Sequence, residues 1–316
     1  MQEAEQLRRG LLAYCYRLSG SVQDAEDLVQ EAMLRGWRSY ARFRGEASVR
    51  TWLYRIATNA FLSTTRRRRH LPSDLGPPAA DVSLDVVLDE DTAWLEPLPD
   101  ALVSSEADPA TTVIERDRLR LALTASLQRL PARQRSALLL REALDFSAAE
   151  IGEALGISVA AAKGLLQRAR ATLETVDEPL PDLDERSAIA VLDAYMQAFE
   201  TADIHLLERT LRNDAMLEMT PARTWFSGRA TCLPYLATVI GQPGEWSMRA
   251  THANSQPAAV AHRHGEPFGI AILGIRDAGL ARISLFTDPA VVRRFTRSAD
   301  RAVRATRGRL PRGRTT

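Results

Sequence analysis

Between Leu71 and Ala110 the chain carries ten acidic residues and no basic one, with prolines at 72, 77, 78, 97, 99 and 109. No helix persists through such spacing, because proline removes a backbone donor and clashes with the preceding turn. So acidic a stretch also buries too little apolar surface to offset its ordering entropy. Residues 71–110 are therefore expected to form an acidic flexible linker. A second break at 177–185 is acidic and holds Pro179 and Pro181. Three bodies remain, at 1–70, 111–176 and 186–290, followed by an Arg-rich tail at 291–316.

Charge follows the same divisions. Residues 1–70 hold 13 basic against 7 acidic side chains, 111–176 hold 10 against 7, and 177–290 hold 9 against 15. The net charge of +1 thus conceals two basic bodies separated by an acidic segment, a distribution suited to nucleic acid contacted at two places. No run approaches the ~18 apolar residues of a membrane span, and the N-terminus shows no secretory pattern. Cys15 and Cys232 stand far apart, so neither a disulfide framework nor a zinc cluster is expected, and a cytoplasmic location is.

Local signals place the helices. Ser21 is an N-cap, Asp24 follows three positions later, and Ala25, Leu28, Val29, Ala32, Met33 and Trp37 recur at helical spacing. Beyond Phe43-Arg44-Gly45 a second helix starts near Ser48 and runs into Arg66-Arg67-Arg68-Arg69. Further helices are expected over 111–129, 132–144, 147–155 and 159–175. Ser147 with Glu150 makes a capping box, Gly156 stops that helix and Ser158 caps the next, which is helix-turn-helix spacing. Later, Ile189, Leu192, Tyr195, Met196 and Phe199 share a helix face. Segments 247–254, 257–263, 268–275 and 279–287 alternate as strands, giving an α+β body.

These residues carry a family resemblance. Asp24-Ala25-Glu26-Asp27-Leu28-Val29-Gln30-Glu31-Ala32, Phe43-Arg44-Gly45 and Thr51-Trp52-Leu53-Tyr54-Arg55-Ile56-Ala57-Thr58-Asn59 resemble region 2 of the extracytoplasmic-function (ECF) sigma factors of the sigma-70 superfamily. Leu130-Pro131-Ala132-Arg133-Gln134-Arg135, Glu150-Ile151-Gly152, Ser158-Val159-Ala160-Ala161 and Leu166-Gln167-Arg168-Ala169-Arg170 resemble region 4. Ala194-Tyr195-Met196-Gln197-Ala198-Phe199, Leu211-Arg212-Asn213-Asp214-Ala215 and Trp225-Phe226-Ser227-Gly228-Arg229 resemble the SnoaL-like branch of the NTF2-like fold. The implied architecture is two all-α modules, a region 2 bundle and a region 4 helix-turn-helix, followed by an α+β NTF2-like cone.

The resemblance implies roles. Asp24, Asp27, Leu28, Gln30 and Glu31 would dock on core RNA polymerase. Phe43, Arg44, Trp52, Arg55 and Asn59 would take the single-stranded −10 element, since aromatics stack on bases and an amide satisfies a base edge. Ser158, Lys163, Gln167, Arg168 and Arg170 would meet the −35 duplex, with Lys163 and Gln167 on base edges and the arginines on phosphates.

The residues alone admit plainer readings. An acidic stripe also serves as a solvated face, Phe43 and Trp52 as core, and Arg66 to Arg69 as either a phosphate clamp or a solvated helix end. Implied partners are the bacterial polymerase core, promoter DNA and the chain's own C-terminal domain as intramolecular regulator, with no membrane. No cofactor, metal or catalytic residue is assigned; a small-molecule ligand of the C-terminal domain is left open. His262 and His264 are expected on one face of a strand, with His252 in the same sheet. An NTF2-like enzyme tethered to a DNA-binding module is the alternative, favoured by an acid/base pair inside the cone.

Overall fold

The computed structural model describes residues 7–43, 45, 47–64, 67–81, 86–103, 119–174 and 185–296. The chain forms two compact units. One comprises 1–71, 90–98 and 103–179; the other comprises 72–89, 99–102 and 180–316.

The first unit is helical. Helices α1 (Arg8–Ser19), α2 (Val22–Ser39) and α3 (Val49–Ser63) enclose Leu11, Tyr16, Leu18, Leu28, Leu53 and Ala57. Gly20 joins α1 to α2 in the left-handed region at φ 72°, where a Cβ would lie 2.8 Å from Leu95. Ser21 caps α2 by accepting from Asp24 N at 3.2 Å, and Ser48 caps α3 by accepting from Thr51 N at 3.0 Å. Helix α3 ends at Ser63, before the arginine run into which it was expected to continue.

Four more helices complete this unit: α4 (Leu121–Arg129), α5 (Ala132–Leu144), α6 (Ala148–Leu155) and α7 (Val159–Glu174). The bounds of α5, α6 and α7 agree with the sequence signals; the helix expected over 111–129 begins only at Leu121, since Leu119 and Arg120 are not helical, and 111–118 lie outside the described residues. The Ser147–Glu150 capping box forms, and Gly156 ends α6 at φ 64°. A Cβ on Gly152 would lie 2.8 Å from Ile157 O, so the tight packing of α7 on α6 requires glycine there.

The expectation of a flexible tether over 71–110 does not hold for the described residues. Leu95 and Leu98 are 1% and 0% exposed, and His70 pairs with Trp94 in a parallel bridge. The Glu96 carboxylate accepts from Ser21 Oγ at 2.8 Å and Val22 N at 2.9 Å, at the positive end of α2;. Tyr16 OH donates to Glu96 O at 2.7 Å. The acids here satisfy donors rather than repel one another, and two leucines supply the burial that composition concealed. Residues 104–110 lie outside the described residues.

The two helical modules also belong to one unit rather than two. Arg135 is 6% exposed and donates to Leu18 O and Gln128 Oε1, and to Leu130 O at 3.0 Å. Gln128 Nε2 reaches Arg17 O at 3.2 Å, and Arg17 pairs with Glu142.

The second unit is α+β. Its sheet runs in the order β2-β1-β6-β5-β4-β3, with β1 (Leu211–Thr220), β2 (Trp225–Ser227), β3 (Trp246–Ala253), β4 (Gln256–Arg263), β5 (Glu266–Arg276) and β6 (Gly279–Phe286). The β1–β6 pair is parallel and the others antiparallel. Register shifts interrupt three ladders, and such bulges bend a sheet;. Helices α8 (Glu185–Glu200), α9 (Ile204–Thr210) and α10 (Arg229–Val239) pack on it around Tyr195, Phe199, Leu207, Phe226, Leu236 and Trp246. Residues 289–296 are helical; 297–316 lie outside the described residues.

Candidate nucleic-acid and polymerase interface

The acidic stripe of α2 divides. Asp27 and Gln30 are exposed, and Glu31 pairs with Arg35 at 2.5 Å. Asp24 is bound by Arg69 at 3.0 Å. Leu28, expected among the contact residues, is 1% exposed and holds α2 in the core instead. Arg69 is committed as well, lying 3.6 Å from Glu96 and donating to Trp94 O at 3.2 Å, so it is not a free phosphate clamp. Arg67 and Arg68 are exposed, and Arg66 lies outside the described residues.

Trp37 is 65% exposed, beside Leu34 and Tyr40 at 45% each. The sequence reading placed Trp37 on the apolar stripe. The stripe instead passes through Ala25, Leu28, Ala32 and Gly36, and a Cβ on Gly36 would lie 2.9 Å from Leu53. Gly36 was the missed signal: a glycine marks where α3 approaches, turning the tryptophan next to it outward.

Tyr40, Phe43 and Trp52 form one aromatic cluster. Phe43 and Trp52 centroids lie 4.8 Å apart, and Tyr40 is 6.2 Å and 6.3 Å from them. Phe43 and Trp52 are half-buried, which joins the two readings: their inner edges pack while their outer edges meet solvent. Arg55 and Asn59 follow Trp52 one and two turns along α3, with Asn59 exposed. Arg44 lies outside the described residues. Arg55 is already engaged, donating to Glu153 of α6 at 2.8 Å, and Arg50 donates to Ala143 O at 3.0 Å.

On α7, Ala162 and Ala169 are fully buried, while Lys163, Gln167, Arg168 and Arg170 are exposed. Ser158 accepts from Ala161 N at 3.2 Å, so its hydroxyl starts the helix. Lys163 and Gln167 stand one turn apart. A Cβ on Gly164 would meet only the flexible Arg168 side chain, at 3.2 Å, so this glycine is not demanded by packing.

The sigma-70 region 2 family matches residues 4–71, and the sigma-70 region 4 family matches 120–173. The chain is 42% identical over 307 residues to the ECF RNA polymerase sigma factor SigG of Mycobacterium tuberculosis, covering 92% of this chain and 82% of that one.

The chain belongs to the ECF RNA polymerase sigma factors.

Its two helical modules are regions 2 and 4 of a promoter-recognition subunit. The ECF factor SigW of Bacillus subtilis is 30% identical over 50% of this chain and 78% of its own. The crystal structure of M. tuberculosis SigJ shares the fold at a TM-score of 0.61 and 23% identity, covering 92% of this sigma factor and 97% of SigJ.

In the C-terminal domain His252 and His262 share the sheet as expected, but His262 and His264 do not share a strand face. His262 lies on β4, His264 falls in the following turn at φ 51°, and His252 is exposed on β3. His264 lies 3.8 Å from Glu245. Among the described residues no group of three or more His, Cys, Asp or Glu could hold a metal ion, and no helix is long and apolar enough to cross a membrane.

Proposed function

We propose that this sigma factor reads the −10 element with the Phe43–Trp52 cluster and Asn59, and the −35 element with Lys163 and Gln167, while Arg168 and Arg170 follow phosphates. Exposed Asp27 and Gln30, with the Arg35-paired Glu31 beside them, offer core polymerase a polar strip in the cytoplasm. Arg55 belongs to the −10 site but is held by Glu153 in the described arrangement, which is a closed, promoter-free state. The element names imply ~25 base pairs between sites, about 85 Å at ~3.4 Å per pair. Regions joined through Arg135 and Arg55 cannot span that distance without parting.

The C-terminal domain then acts on promoter competence. The observation that carries this reading is the division of the inter-region segment: residues 72–89 belong to the C-terminal unit and 90–98 to the helical one. Asp89 N donates to Pro221 O at 2.7 Å, Arg223 N donates to Val87 O at 2.9 Å, and Ser73 N donates to the buried Glu218 at 3.2 Å. The connection that must change for regions 2 and 4 to separate is therefore bonded to the C-terminal domain. Transcription from a promoter library by core polymerase, with the full chain and with residues 1–176, tests this. Removing the domain should change initiation appreciably, with a 1–290 form as the control for the basic tail. Equal initiation by all three across a range of salt would remove the regulatory role.

A further inference from the structure

The C-terminal domain contains a cavity of about 200 Å³. Its walls include Tyr195, Phe199, Tyr235, Trp246 and Phe268, with Met219 and Met248 between them. Aromatic walls complement flat rings, and methionines adapt to irregular outlines. Among the described residues, its lining contains no Asp, Glu or His, so no acid/base pair of the kind an NTF2-like enzyme would need converges there.

The polar groups on the wall define what fits. The Thr220 and Thr287 hydroxyls are spent on the Leu285 and Thr220 carbonyls, at 3.3 Å and 3.0 Å. The Tyr195 and Tyr235 hydroxyls make no hydrogen bond among the described residues, and burial raises both pKa values, so they stay protonated donors. Arg263 lies 5.1 Å over Trp246 and is neutralised by Glu245 at 3.2 Å, whose carboxyl it holds below its usual pKa. The wall thus offers hydroxyl donors but no uncompensated charge. A cavity of ~150 Å³ takes benzene, so this one suits one substituted ring or two small fused ones.

The inter-region segment contributes to the wall. Val86 and Leu88 line the cavity beside Pro221 and Ala222. Leu88 bridges Ala222 in antiparallel fashion, Val87 N donates to Thr224 Oγ1 at 3.0 Å, and Arg223 pairs with Asp89 at 2.5 Å. Val87 and Leu88 are nevertheless 57% and 65% exposed, so this bonded edge lies at the surface.

We propose that this cavity binds a compact, neutral aromatic molecule with one hydrogen-bonding oxygen, such as a phenol or an aryl ketone, and that residues 86–89 sense it. A molecule contacting Val86 and Leu88 shifts this edge by as much as its affinity differs between the edge's docked and released states. Binding stands on the cavity alone; its effect on transcription rests on the regulatory reading above.

The full-length protein is titrated with 4-ethylphenol, acetophenone and benzoate, followed by calorimetry and by hydrogen exchange at the Val87 and Asp89 amides. The neutral probes should bind saturably and benzoate at least tenfold more weakly. Tyr195→Phe should weaken 4-ethylphenol about fivefold, the worth of one neutral hydrogen bond. Ala261→Phe, which fills the wall, should abolish binding with an unchanged circular dichroism spectrum; should it unfold, Val239→Phe takes its place. No saturable binding, or equal binding by a folded cavity-filling variant, overturns the site. Benzoate binding as tightly as the neutral probes overturns the ligand class. Binding without altered exchange at Val87 and Asp89 overturns the sensing role. Binding with altered exchange but unchanged transcription leaves the site standing and overturns the regulatory reading instead.

Discussion

Helices α3 and α7 carry the two groups of side chains proposed above to meet DNA, yet the chain treats them differently. The polar face of α7 is open, with Lys163, Gln167, Arg168 and Arg170 all exposed. The equivalent face of α3 is partly taken: Arg55 is bound to Glu153 and Arg50 to Ala143 O. One proposed contact face is open and the other is held by the module that carries its counterpart. On the proposed assignment, the −35 face is accessible as described, whereas the −10 face becomes fully accessible only when the modules part.

The largest effect should come from cutting the joint itself. Arg135 is buried among the Leu18, Gln128 and Leu130 oxygens, and its removal leaves those acceptors unpaired beside a cavity. Arg135→Ala should destabilise the helical unit by about 3 kcal/mol or more, seen as a lower denaturation midpoint. A loss under ~1 kcal/mol would show that the modules do not depend on this joint. Next, Gln167→Ala should cost ~1–3 kcal/mol of discrimination at its base pair without lowering affinity for unrelated DNA. Arg170→Ala should do the reverse and flatten the salt dependence of binding. Identical profiles in a −35 library would erase the distinction drawn on α7.

A smaller effect is expected from freeing α3. Glu153→Ala removes a partly exposed pair worth ~0.2–1 kcal/mol, so affinity for single-stranded −10 DNA should rise up to about fivefold. Arg55→Ala should not show the gain; a gain there would mean that Glu153 acts elsewhere. The smallest effect concerns acid. Hydrogen bonds from the Ser147 side chain and backbone lower the pKa of Glu150, so its contribution to α6 is complete above the ordinary carboxylate pKa. That contribution is lost as pH falls through the lowered value, and Glu150→Gln should remove this part of the acid dependence in a helix-monitored titration.

Much of this was legible because its causes are local. Ser147, Glu150, Gly156 and Ser158 set the bounds of α6 and α7 within a few residues of themselves. Strands β3 to β6 of the C-terminal sheet likewise announced themselves by turn residues at short intervals, whereas β1 and β2 did not. What escaped depended on distant partners. Glu96 meets Ser21 across 75 positions of sequence, and nothing in a proline-broken acidic stretch identifies which carboxylate will cap a helix. Trp37 was misplaced because the apolar stripe drifts along α2, and only the approach of α3 shows Gly36 to be its true member. Leu28 looked like a surface contact because its family motif mixes packing residues with contact residues. His262 and His264 would share a strand face had β4 not ended at Arg263.

The distant cap at Glu96 has a consequence for synthesis. Region 2 ends as a sequence near Leu71, but its core also takes in Leu95 and Leu98, and α2 receives its carboxylate only from position 96. A ribosome adding ~5–20 residues per second therefore needs roughly one to five seconds more before this module can close. During that interval the nascent polypeptide presents Gly20 and its neighbours without their cover. The autonomous unit of translation is thus longer than the unit of recognition, and a fragment made to study region 2 should end after Leu98.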